Sequence, residues 1–320
     1  MFESIWALLQ YGFACYCIVR VLKFLFILTK CVVVHILTPE YNIDHLKDSW
    51  TVVTGGTDGI GRAYIEELAK VRGIRKFFLI GRNADKLNKT ANELKERYDC
   101  TVAIHIFDFE KDDLSKLPAN LTTDDIGILV NCAGIAPSQI GALTELPEGL
   151  ASKILRVNLM SSVRMVELVL PNMIAKKRGI IVNVSSMTGW RPLPYISSYP
   201  ASKAALSFFS DALSDEYRHS GVHIQCLIPM LVATKVASYE TEEANNVFVV
   251  TPENFAKQAV RIIGRWEIAT GCIQHDVQIA FGTLFSFWLF KVLFVPFVML
   301  GIHKHRVASY QAKNISKKST

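Results

Sequence analysis

A short apolar run that ends in a cluster of glycines constrains the fold of this chain more than any other stretch. Residues 51–54, Thr-Val-Val-Thr, lead directly into TGGTDGIG at 54–61, ahead of an amphipathic segment. Glycines are needed where a backbone turns tightly at a helix N-terminus and lets a phosphate group approach it. A plain surface turn also uses glycine, so the position between a predicted strand and a predicted helix is what makes the motif informative. We therefore expect a phosphate-binding strand–turn–helix unit.

From Trp50 onward, short β-branched or aromatic runs alternate with amphipathic helical stretches. This alternation is typical of parallel strands joined by crossover helices. The predicted strands are residues 51–54, 77–80, 102–107, 128–130, 180–184 and 222–227, and the predicted helices are residues 59–71, 84–97, 148–175, 199–219 and 252–263. This order predicts an α/β fold with a Rossmann-type doubly wound parallel sheet.

The two ends of the chain are more apolar than its middle. Hydrophobic residues make up 50% of the sequence and the mean hydropathy is +0.25, with the excess in residues 5–37 and 277–302. The first stretch is interrupted by Arg20, Lys23 and Lys30. A bilayer span needs ~20 apolar residues. We expect a membrane anchor, as one tilted span or an interfacial hairpin, rather than a cleaved signal peptide.

The second apolar stretch contains one charge, Lys291, and one proline, Pro296. It is long enough to span a bilayer, although a lysine within it would have to snorkel or pair. The alternative is a hydrophobic wall of a substrate tunnel or a dimer surface. We divide the chain into an anchor and linker at 1–48, a central α/β domain at 49–270, and an apolar segment with a basic tail at 271–320. Both ends are predicted to be membrane-associated.

The net charge of +6 arises largely from lysines and arginines beside the apolar ends. Such charges suit a membrane surface, and the middle has no basic stripe with interleaved aromatics, so we expect no nucleic-acid partner. The last four residues, KKST, fit a dilysine retrieval signal read on the cytosolic side, although a solvated basic tail is the alternative. We predict an endoplasmic reticulum membrane protein whose central domain faces the cytosol, with a mitochondrial location as the alternative.

The cysteines favour a reducing compartment for the folded domain. There are 7 of them, an odd number, and none forms a C-x-x-C pair. Several lie in apolar runs, where a reduced and buried thiol is the usual state. We therefore expect no metal site.

Polar or small residues stand where the predicted strands end. Arg82 follows the second strand, where an NAD-selective site carries an acidic residue; an arginine can pair with the 2′-phosphate of NADP(H), although a solvated arginine would give the same sequence. Asp108 follows the third strand and could bond the adenine amino group, and Asn-Cys-Ala-Gly at 131–134 follows the fourth. Ser185 and Ser186 end the fifth. Ligand sites of open α/β sheets form outside these carboxyl ends, so the residues predict one crevice.

The stretch SSYPASKAAL at 197–206 places Tyr199 and Lys203 four residues apart on one side of a predicted helix. An unperturbed tyrosine titrates near ~10, and a lysine one turn away stabilises the tyrosinate. The spacing alone arises often by chance. It gains meaning from Ser186 thirteen residues upstream and from the glycine turn. Together these residues predict a proton-transfer site.

In combination the motifs resemble those of classical short-chain dehydrogenases/reductases, over residues ~50–265. The matching elements are T-G-x-x-x-G-x-G at 54–61, N-x-A-G at 131–134, Asn158, Ser186, Tyr199 and Lys203. The chain is similar to the membrane-associated 17-beta-hydroxysteroid dehydrogenase and very-long-chain 3-oxoacyl-CoA reductase branch, on its apolar N-terminus, IPMLVATK at 228–235 and TPENF at 251–255. It departs from the family at Cys132, where an asparagine is usual, and at Met230, where a glycine is common; we expect little effect on the chemistry.

The resemblance implies a role for each residue of this set. Tyr199 would protonate the carbonyl oxygen during reduction, and Ser186 would hydrogen-bond that oxygen. Lys203 would stabilise the tyrosinate and hold the nicotinamide ribose, and Asn158 would anchor a water-linked relay. The predicted cofactor-binding residues are Gly55, Thr57, Asp58, Gly59, Ile60, Gly61, Arg82, Asp108, Asn131, Ala133, Gly134, Tyr199, Lys203, Pro229 and Thr234, the last two near the nicotinamide.

The resemblance further implies an NADP(H)-dependent carbonyl reductase of a lipid ketone, either a 3-oxoacyl-CoA or a 17-ketosteroid. The apolar ends and a predicted lid at 230–251 favour a hydrophobic substrate delivered from a membrane, and a homodimer is compatible with the family. The alternative is a catalytically silent hydroxysteroid dehydrogenase-like membrane protein that acts as a scaffold or binds a partner. Such proteins lack the catalytic tyrosine. Because Tyr199 is present, we expect an active enzyme.

Overall fold

The computed structural model describes residues 2–239, 244, 248–286 and 292–319 of the protein. In this part of the chain the strands are β1 Trp50–Thr54, β2 Lys76–Gly81, β3 Thr101–Ile106, β4 Ile126–Asn131, β5 Gly179–Val184, β6 Val222–Leu227 and β7 Ile268–Ala269. The α-helices are α1 Phe2–Val32, α2 Gly59–Arg72, α3 Ala84–Tyr98, α4 Leu150–Leu155, α5 Ser161–Ala175, α6 Ser198–Glu216, α7 Pro252–Arg261, α8 Ile273–Gly282 and α9 Lys304–Ser319.

The strands form one parallel sheet in the order β3-β2-β1-β4-β5-β6-β7. The chain moves outward from β1 to β3 and then crosses to β4 on the other side of β1. This reversal creates a switch point between β1 and β4, where the loops after the two strands diverge. The predicted doubly wound sheet is confirmed. Sequence reasoning missed β7, because two residues are too short for a hydrophobic pattern to show.

Alternate residues of the central strands face two separate apolar layers. Val53 of β1 packs in a cluster with Tyr64 of α2 and Phe255 of α7, whereas Val52 belongs to a cluster with Met165 of α5. Because both faces are covered, β4 and β5 are buried at every position. Strands of this kind have nearly continuous apolar sequences, which is why the pattern predicted them closely.

A pair of asparagines crosses the sheet near its carboxyl edge. Asn131 Nδ2 donates to Asn183 Oδ1 at 2.9 Å, and Asn183 Nδ2 donates to Ser210 Oγ of α6 at 2.9 Å. Both asparagines are buried, and buried amides need partners because the alternative costs about 1–3 kcal/mol each. The pair therefore ties β4 to β5 and α6 to the sheet.

The helix predicted at 148–175 is interrupted. α4 ends at Leu155, a π-helical turn covers Arg156–Met160, and α5 begins at Ser161. A π-turn adds a residue to the helical repeat and is often found at functional sites. Asn158 lies in this turn and is fully buried. The turn therefore sets the direction in which the Asn158 side chain leaves the helix.

The N-terminal apolar stretch forms one long helix, α1, and many of its large side chains are exposed. Trp6 is 64% exposed and Phe13 is 70% exposed. The C-terminal end of α1 is attached to α8, where the rings of Phe24 and Phe281 lie 5.3 Å apart. In the described ranges, no helix is long and apolar enough to cross a membrane. The membrane association of the two ends stays a prediction.

A π-helical segment, Phe294–His303, continues into α9 and packs on the loops that follow β4 and β5. Its buried contacts form a small apolar cluster of Ile140, Leu193, Ile196, Met299 and Val307. We call residues 292–313 the C-terminal cover. Residues 240–243 and 245–247 of the predicted lid, which include most of its TEEANN stretch at 241–246, lie outside the described residues, as does Lys291.

Candidate active site

The turn after β1 and the loop after β4 meet closely at the carboxyl edge of the sheet. Thr54 Oγ1 accepts hydrogen bonds from the backbone N–H groups of Cys132 and Ala133, both at 3.2 Å. Gly55 has a φ of 69°, and a Cβ there would lie 2.8 Å from Ala133 Cα. Only a glycine permits both the left-handed backbone and this approach. The close contact brings the glycine turn and the 131–134 loop into one site.

The rest of the turn opens at the N-terminus of α2. Gly59 has a φ of 51°, and a Cβ there would lie 2.9 Å from Thr234 Cγ2. The glycine turn is therefore in contact with the segment that follows β6. Thr57 and Ile60 are half-buried on this turn, and Asp58 is exposed. A glycine backbone at a helix N-terminus fits the diphosphate of a dinucleotide, because unpaired N–H groups and the helix dipole favour an anion there.

Gly134 lies beside two polar groups of the site. A Cβ at Gly134 would stand 3.5 Å from Asn158 Oδ1 and 3.6 Å from Lys203 Nζ. These are ordinary van der Waals distances, so a side chain at this position would begin in contact with both groups, whereas glycine leaves them uncovered on that side. The residues of the site therefore fit a nicotinamide dinucleotide that extends from the glycine turn to Lys203.

Lys203 is a buried cation at the centre of the site. It is 5% exposed, and its Nζ donates to the Val184 carbonyl at 2.8 Å, at the end of β5. Its Nζ also lies 5.9 Å from the centre of the Tyr199 ring. Burial lowers the pKa of Lys203 to about 8, while the nearby thiols of Cys132 and Cys226 act in the opposite direction. A lysine with this pKa is still mostly protonated at neutral pH.

Tyr199 lies in the first turn of α6, next to Ser186. Burial raises the pKa of Tyr199, and a hydrogen bond with Ser186 opposes that rise. Ser186 Oγ accepts hydrogen bonds from Thr188, from its N–H at 3.2 Å and its Oγ1 at 2.9 Å. Since the Ser186 oxygen is an acceptor in both, its own proton is available to Tyr199 or to a substrate oxygen. The structure therefore brings Ser186, Tyr199 and Lys203 together as the sequence predicted.

Asn158 is fixed to the loop after β4 and to α6. Its Oδ1 accepts from Ile135 N–H at 2.8 Å, and its Nδ2 donates to the Ile135 carbonyl at 2.9 Å and to Ser202 Oγ at 3.1 Å. Ser202 in turn donates to the Tyr199 carbonyl at 2.7 Å. Every polar atom of the Asn158 amide group is thus engaged, so the residue is rigid. It connects the π-turn to the first turn of α6.

Asn131 and Cys132 are placed differently from their neighbours. The Asn131 side chain lies inside the sheet, hydrogen-bonded to Asn183, so its amide stabilises the strands that carry the site. Burial raises the pKa of the Cys132 thiol to about 11. It is therefore neutral near pH 7, and its closeness to Lys203 does not make it an anion.

The predicted adenine end of the site is richer in charge than the sequence indicated. Arg82 is largely exposed, and its Nη1 lies 3.6 Å from Glu110 Oε2. Glu110 also pairs with Lys153 Nζ at 2.7 Å. Asp108 Oδ1 accepts from the Glu110 N–H at 3.0 Å, which holds the loop after β3. Glu110 and Lys153 were missed because a pairing across separate segments leaves no local sequence pattern.

Asp58 joins three segments at the edge of the glycine turn. Its Oδ2 lies 2.5 Å from Lys86 Nζ on α3 and 2.7 Å from Lys235 Nζ, next to Thr234. Burial raises the pKa of Asp58, but the two lysines outweigh burial and hold the pKa below its ordinary value. Pro229 contributes its carbonyl to the Met187 N–H at 2.9 Å. The segment after β6 is therefore tied both to the glycine turn and to the Ser186 loop.

A doubly wound sheet with a glycine turn, and with a tyrosine and a buried lysine at its switch point, defines a dinucleotide-dependent oxidoreductase. A family model described as short chain dehydrogenase matches residues 49–245. The chain is 66% identical over 191 residues to "Uncharacterized oxidoreductase dhs-27" of Caenorhabditis elegans, which covers 60% of this chain and 23% of that longer protein. It is 37% identical over 248 residues to very-long-chain 3-oxoacyl-CoA reductase of Mus musculus, which covers 76% of this chain and 78% of that protein.

A solved structure shows the same fold. The short-chain dehydrogenase from Sphingobium yanoikuyae in complex with NADPH aligns with a TM-score of 0.60 at 27% identity, over 66% of this chain and 83% of that chain. The chain belongs to the short-chain dehydrogenase family.

The buried ammonium of Lys203 leads to a prediction about stability. The lysine has its ordinary pKa of 10.5 in the unfolded chain, whereas burial lowers the pKa to about 8 in the folded protein. Between these values the unfolded chain binds more protons, so the free energy of unfolding rises with pH in that window. Lys203→Met removes this titration. Raising the pH from 7 to about 9.5 should therefore increase the Tm of the wild type relative to the Tm of the variant.

Thermal unfolding of the cofactor-free protein at both pH values measures this difference. Lys176→Met is the control, because the Lys176 side chain is on the surface, where it pairs with Asp125. A difference in Tm between Lys203→Met and the wild type that is the same at both pH values would contradict the depressed pKa.

Proposed function

We propose that this protein is an NADPH-dependent reductase of a lipid carbonyl, with a 3-oxoacyl-CoA as the favoured substrate and a 17-ketosteroid as the runner-up. The proposal rests mainly on one observation. Tyr199, Ser186 and the buried cation of Lys203 stand together at the switch point, beside a glycine turn that fits a dinucleotide.

The residues of the site divide the work of carbonyl reduction. NADPH, when bound, supplies the hydride to the carbonyl carbon. Ser186 donates a hydrogen bond to the carbonyl oxygen and polarises it, and Tyr199 delivers its phenolic proton to that oxygen as negative charge develops there. Lys203 stabilises the resulting tyrosinate electrostatically, because an ammonium in a buried site acts strongly on a nearby anion.

In this proposal Asn158 has a positioning role. It holds the loop after β4 and the first turn of α6 at fixed distances, through Ile135 and Ser202. The Gly134 backbone next to it leaves room for the ribose that Lys203 would hold. Proton transfer depends steeply on donor–acceptor geometry, so this rigid support is part of the proposed chemistry.

The proposed preference for NADPH over NADH rests on the basic residues at the adenine end of the site. Arg82 stands directly after β2, and Lys86 lies one helical turn further, on α3. Two cations near this position favour a 2′-phosphate over a bare hydroxyl, because phosphate pairs with guanidinium and ammonium groups. The NADPH in the related Sphingobium yanoikuyae structure supports the same choice.

A lipid substrate is supported by the apolar surroundings. Met299 and Val307 of the C-terminal cover are buried with Leu193 and Ile196, in the loop that precedes Tyr199. The similarity to a very-long-chain 3-oxoacyl-CoA reductase points to the same substrate class. A surface for a homodimer is compatible with this proposal and is not needed for it.

The alternative proposal is a silent family member that serves as a membrane scaffold or binds a partner. A silent protein has no need to keep a costly buried ammonium beside a tyrosine. Asn158, Ser186, Tyr199 and Lys203 are all present and correctly grouped, which favours the enzyme.

Substitution of the proton donor tests the proposed function. Tyr199→Phe should lower kcat for lipid carbonyl reduction by about 100-fold or more, because the proton donor is lost while the ring remains. NADPH oxidation is measured with a 3-oxoacyl-CoA, a 17-ketosteroid and a lipid aldehyde, and NADPH binding is measured by fluorescence. Tyr195→Phe, a nearby tyrosine in the same loop region, is the control and should keep most of the activity. Full activity of Tyr199→Phe would remove Tyr199 from this role.

Charge reversal at the adenine end tests the cofactor preference. Arg82→Asp should raise KM for NADPH by about 10- to 100-fold, the value of a lost charge-assisted hydrogen bond, and should change KM for NADH much less. Arg97→Asp is the matched control, because both arginines lie near α3 and have side chains that are 62% exposed. Equal effects of the two substitutions on the NADPH to NADH ratio would contradict the assignment.

We also propose that the protein resides on the endoplasmic reticulum membrane with its α/β domain in the cytosol. The many exposed apolar side chains of α1 and the KKST ending support this placement. The sequons at Asn88 and Asn120 are exposed on the domain, so a lumenal domain would be glycosylated. We expect no glycosidase-sensitive mass shift and loss of the domain when sealed microsomes are treated with protease. Protection from protease would place the domain on the other side.

A further inference from the structure

The segment that follows β6, residues 228–234, reaches both ends of the proposed cofactor site. At one end, the Pro229 carbonyl accepts the Met187 N–H of the loop after β5 at 2.9 Å. At the other end, Thr234 lies against the glycine turn, so that a Cβ added to Gly59 would stand 2.9 Å from Thr234 Cγ2. The position of this segment therefore affects the proton-transfer end and the diphosphate end of the site together.

Backbone hydrogen bonds hold this segment on both sides of Met230. The Ile228 N–H donates to the Ala269 carbonyl of β7 at 2.9 Å. Further along the chain, the Leu231 carbonyl accepts the Val250 N–H at 3.1 Å. The Met230 N–H lies between these two bonds and donates to a side chain instead. A backbone donor inside a protein needs such a partner, because leaving it unpaired is costly.

The acceptor for the Met230 N–H is His275, near the start of α8. Its Nδ1 accepts that N–H at 3.3 Å, and its Nε2 lies 3.4 Å from the Leu231 carbonyl. A backbone N–H donates and a carbonyl accepts, so Nδ1 is the bare nitrogen and Nε2 carries the proton. His275 is fully buried, and burial lowers the pKa of His275 to about 4. The ring is therefore neutral near pH 7, in the one tautomer that suits both partners.

Polar contacts hold the first turns of α8, and with them the imidazole ring, in place. Asp276 Oδ1 accepts the Thr270 hydroxyl at 2.8 Å, and Asp276 Oδ2 lies 2.9 Å from His35 Nε2. The Ile273 N–H donates to Gln258 Oε1 of α7 at 2.9 Å. A side chain on a rigidly held helix keeps its partner in a defined position. The ring is thus a fixed point against which the segment after β6 is aligned.

We propose that His275 is a positioning residue for cofactor binding, and that its bond to the Met230 N–H fixes the segment after β6 as a preformed wall for the nicotinamide end of the dinucleotide. The inference rests on the proposed function and deepens it. Met230 adjoins Pro229, which is bonded to the loop that carries Ser186. A shift of Met230 therefore displaces the reacting end of the site first.

The two hydrogen bonds of His275 are not equally important for this role. The Leu231 carbonyl also accepts the Val250 N–H, so it stays satisfied when the Nε2 donor is lost. The Met230 N–H depends on the bare Nδ1. The acceptor at Nδ1 is therefore the atom of His275 that the proposal requires.

Three substitutions separate the two hydrogen bonds. His275→Asn places an amide oxygen where Nδ1 accepts, His275→Gln places an amide nitrogen where Nε2 donates, and His275→Phe keeps a ring with neither group. The Kd for NADPH should rise about ten-fold in His275→Phe and His275→Gln, the effect of one lost hydrogen bond, and should stay within about three-fold of wild type in His275→Asn. Fluorescence titration of the full-length protein measures these values.

A fragment of the cofactor separates positioning from a general loss of structure. 2′-Phospho-ADP-ribose has the phosphates of NADPH but no nicotinamide. Its Kd should change by less than about two-fold in all three variants, because the hydrogen bond at Met230 aligns the nicotinamide end. A general loss of structure would weaken the binding of both ligands alike.

His223→Phe is the matched control. His223 also has a hydrogen-bonded Nε2, 3.0 Å from Tyr41 Oη, but it lies at the opposite end of β6. This substitution should leave both Kd values unchanged, even if it lowers the Tm.

The inference is overturned if His275→Asn and His275→Gln weaken NADPH binding equally, if both bind NADPH as tightly as the wild type, or if the fragment loses as much affinity as NADPH. The comparison of these two variants decides the question even where His275→Phe does not fold. Wild-type protein that binds NADPH but reduces no lipid carbonyl would refute the proposed function instead, and would leave the positioning role of His275 in place.

Discussion

The site depends on keeping one ammonium group inside the protein. Lys203 is almost fully buried, and its Nζ donates to the Val184 carbonyl. Burial of a charge is costly, and for this reason burial lowers the pKa of Lys203. The fold withstands it because α6 is anchored on both sides, by Ser185 Oγ donating to the Lys203 carbonyl at 2.7 Å and by Asn158 donating to Ser202. In the proposed mechanism, the protein loses some stability here and gains a cation that stabilises the tyrosinate of Tyr199.

The same constraint explains the unusual polar interior of the sheet edge. β4 and β5 are buried on both faces, yet they carry Asn131 and Asn183 at their carboxyl ends. These amides bond to each other and to Ser210, so they set the distance between α6 and the sheet. Apolar residues of the same size could fill the space, but they would not fix one register as strongly. The proposed proton transfer from Tyr199 on α6 would need that fixed register, because it tolerates little displacement.

Much of this arrangement was predictable from the sequence, for a physical reason. The strands of a covered parallel sheet are apolar throughout, and the family motifs follow these strands directly, so their convergence at one edge comes from topology alone. The interrupted helix at 156–160 was not predictable, because a π-turn changes the hydrophobic period by one residue and leaves a pattern still compatible with one helix. The ion pairs of Asp58 and Glu110 were also missed. Their partners come from α3, from α4 and from the segment after β6, and charged residues on a surface look the same in sequence whether they are paired or solvated.

The C-terminal cover is a second feature whose surroundings could not be predicted from the sequence pattern alone. Its sequence is apolar enough that a membrane segment was predicted, and its Met299 and Val307 side chains are buried in a cluster with Leu193 and Ile196, in the loop before Tyr199. Each such side chain contributes about 1.5–3 kcal/mol when fully buried, so the few in this cluster hold the cover far less firmly than the main layers hold the sheet. Apolar side chains leave water as favourably for a protein surface as for a lipid phase. The sequence of this segment therefore could not separate the two environments, whereas the position of Met299 beside Leu193 and Ile196 shows which one these side chains occupy in the fold.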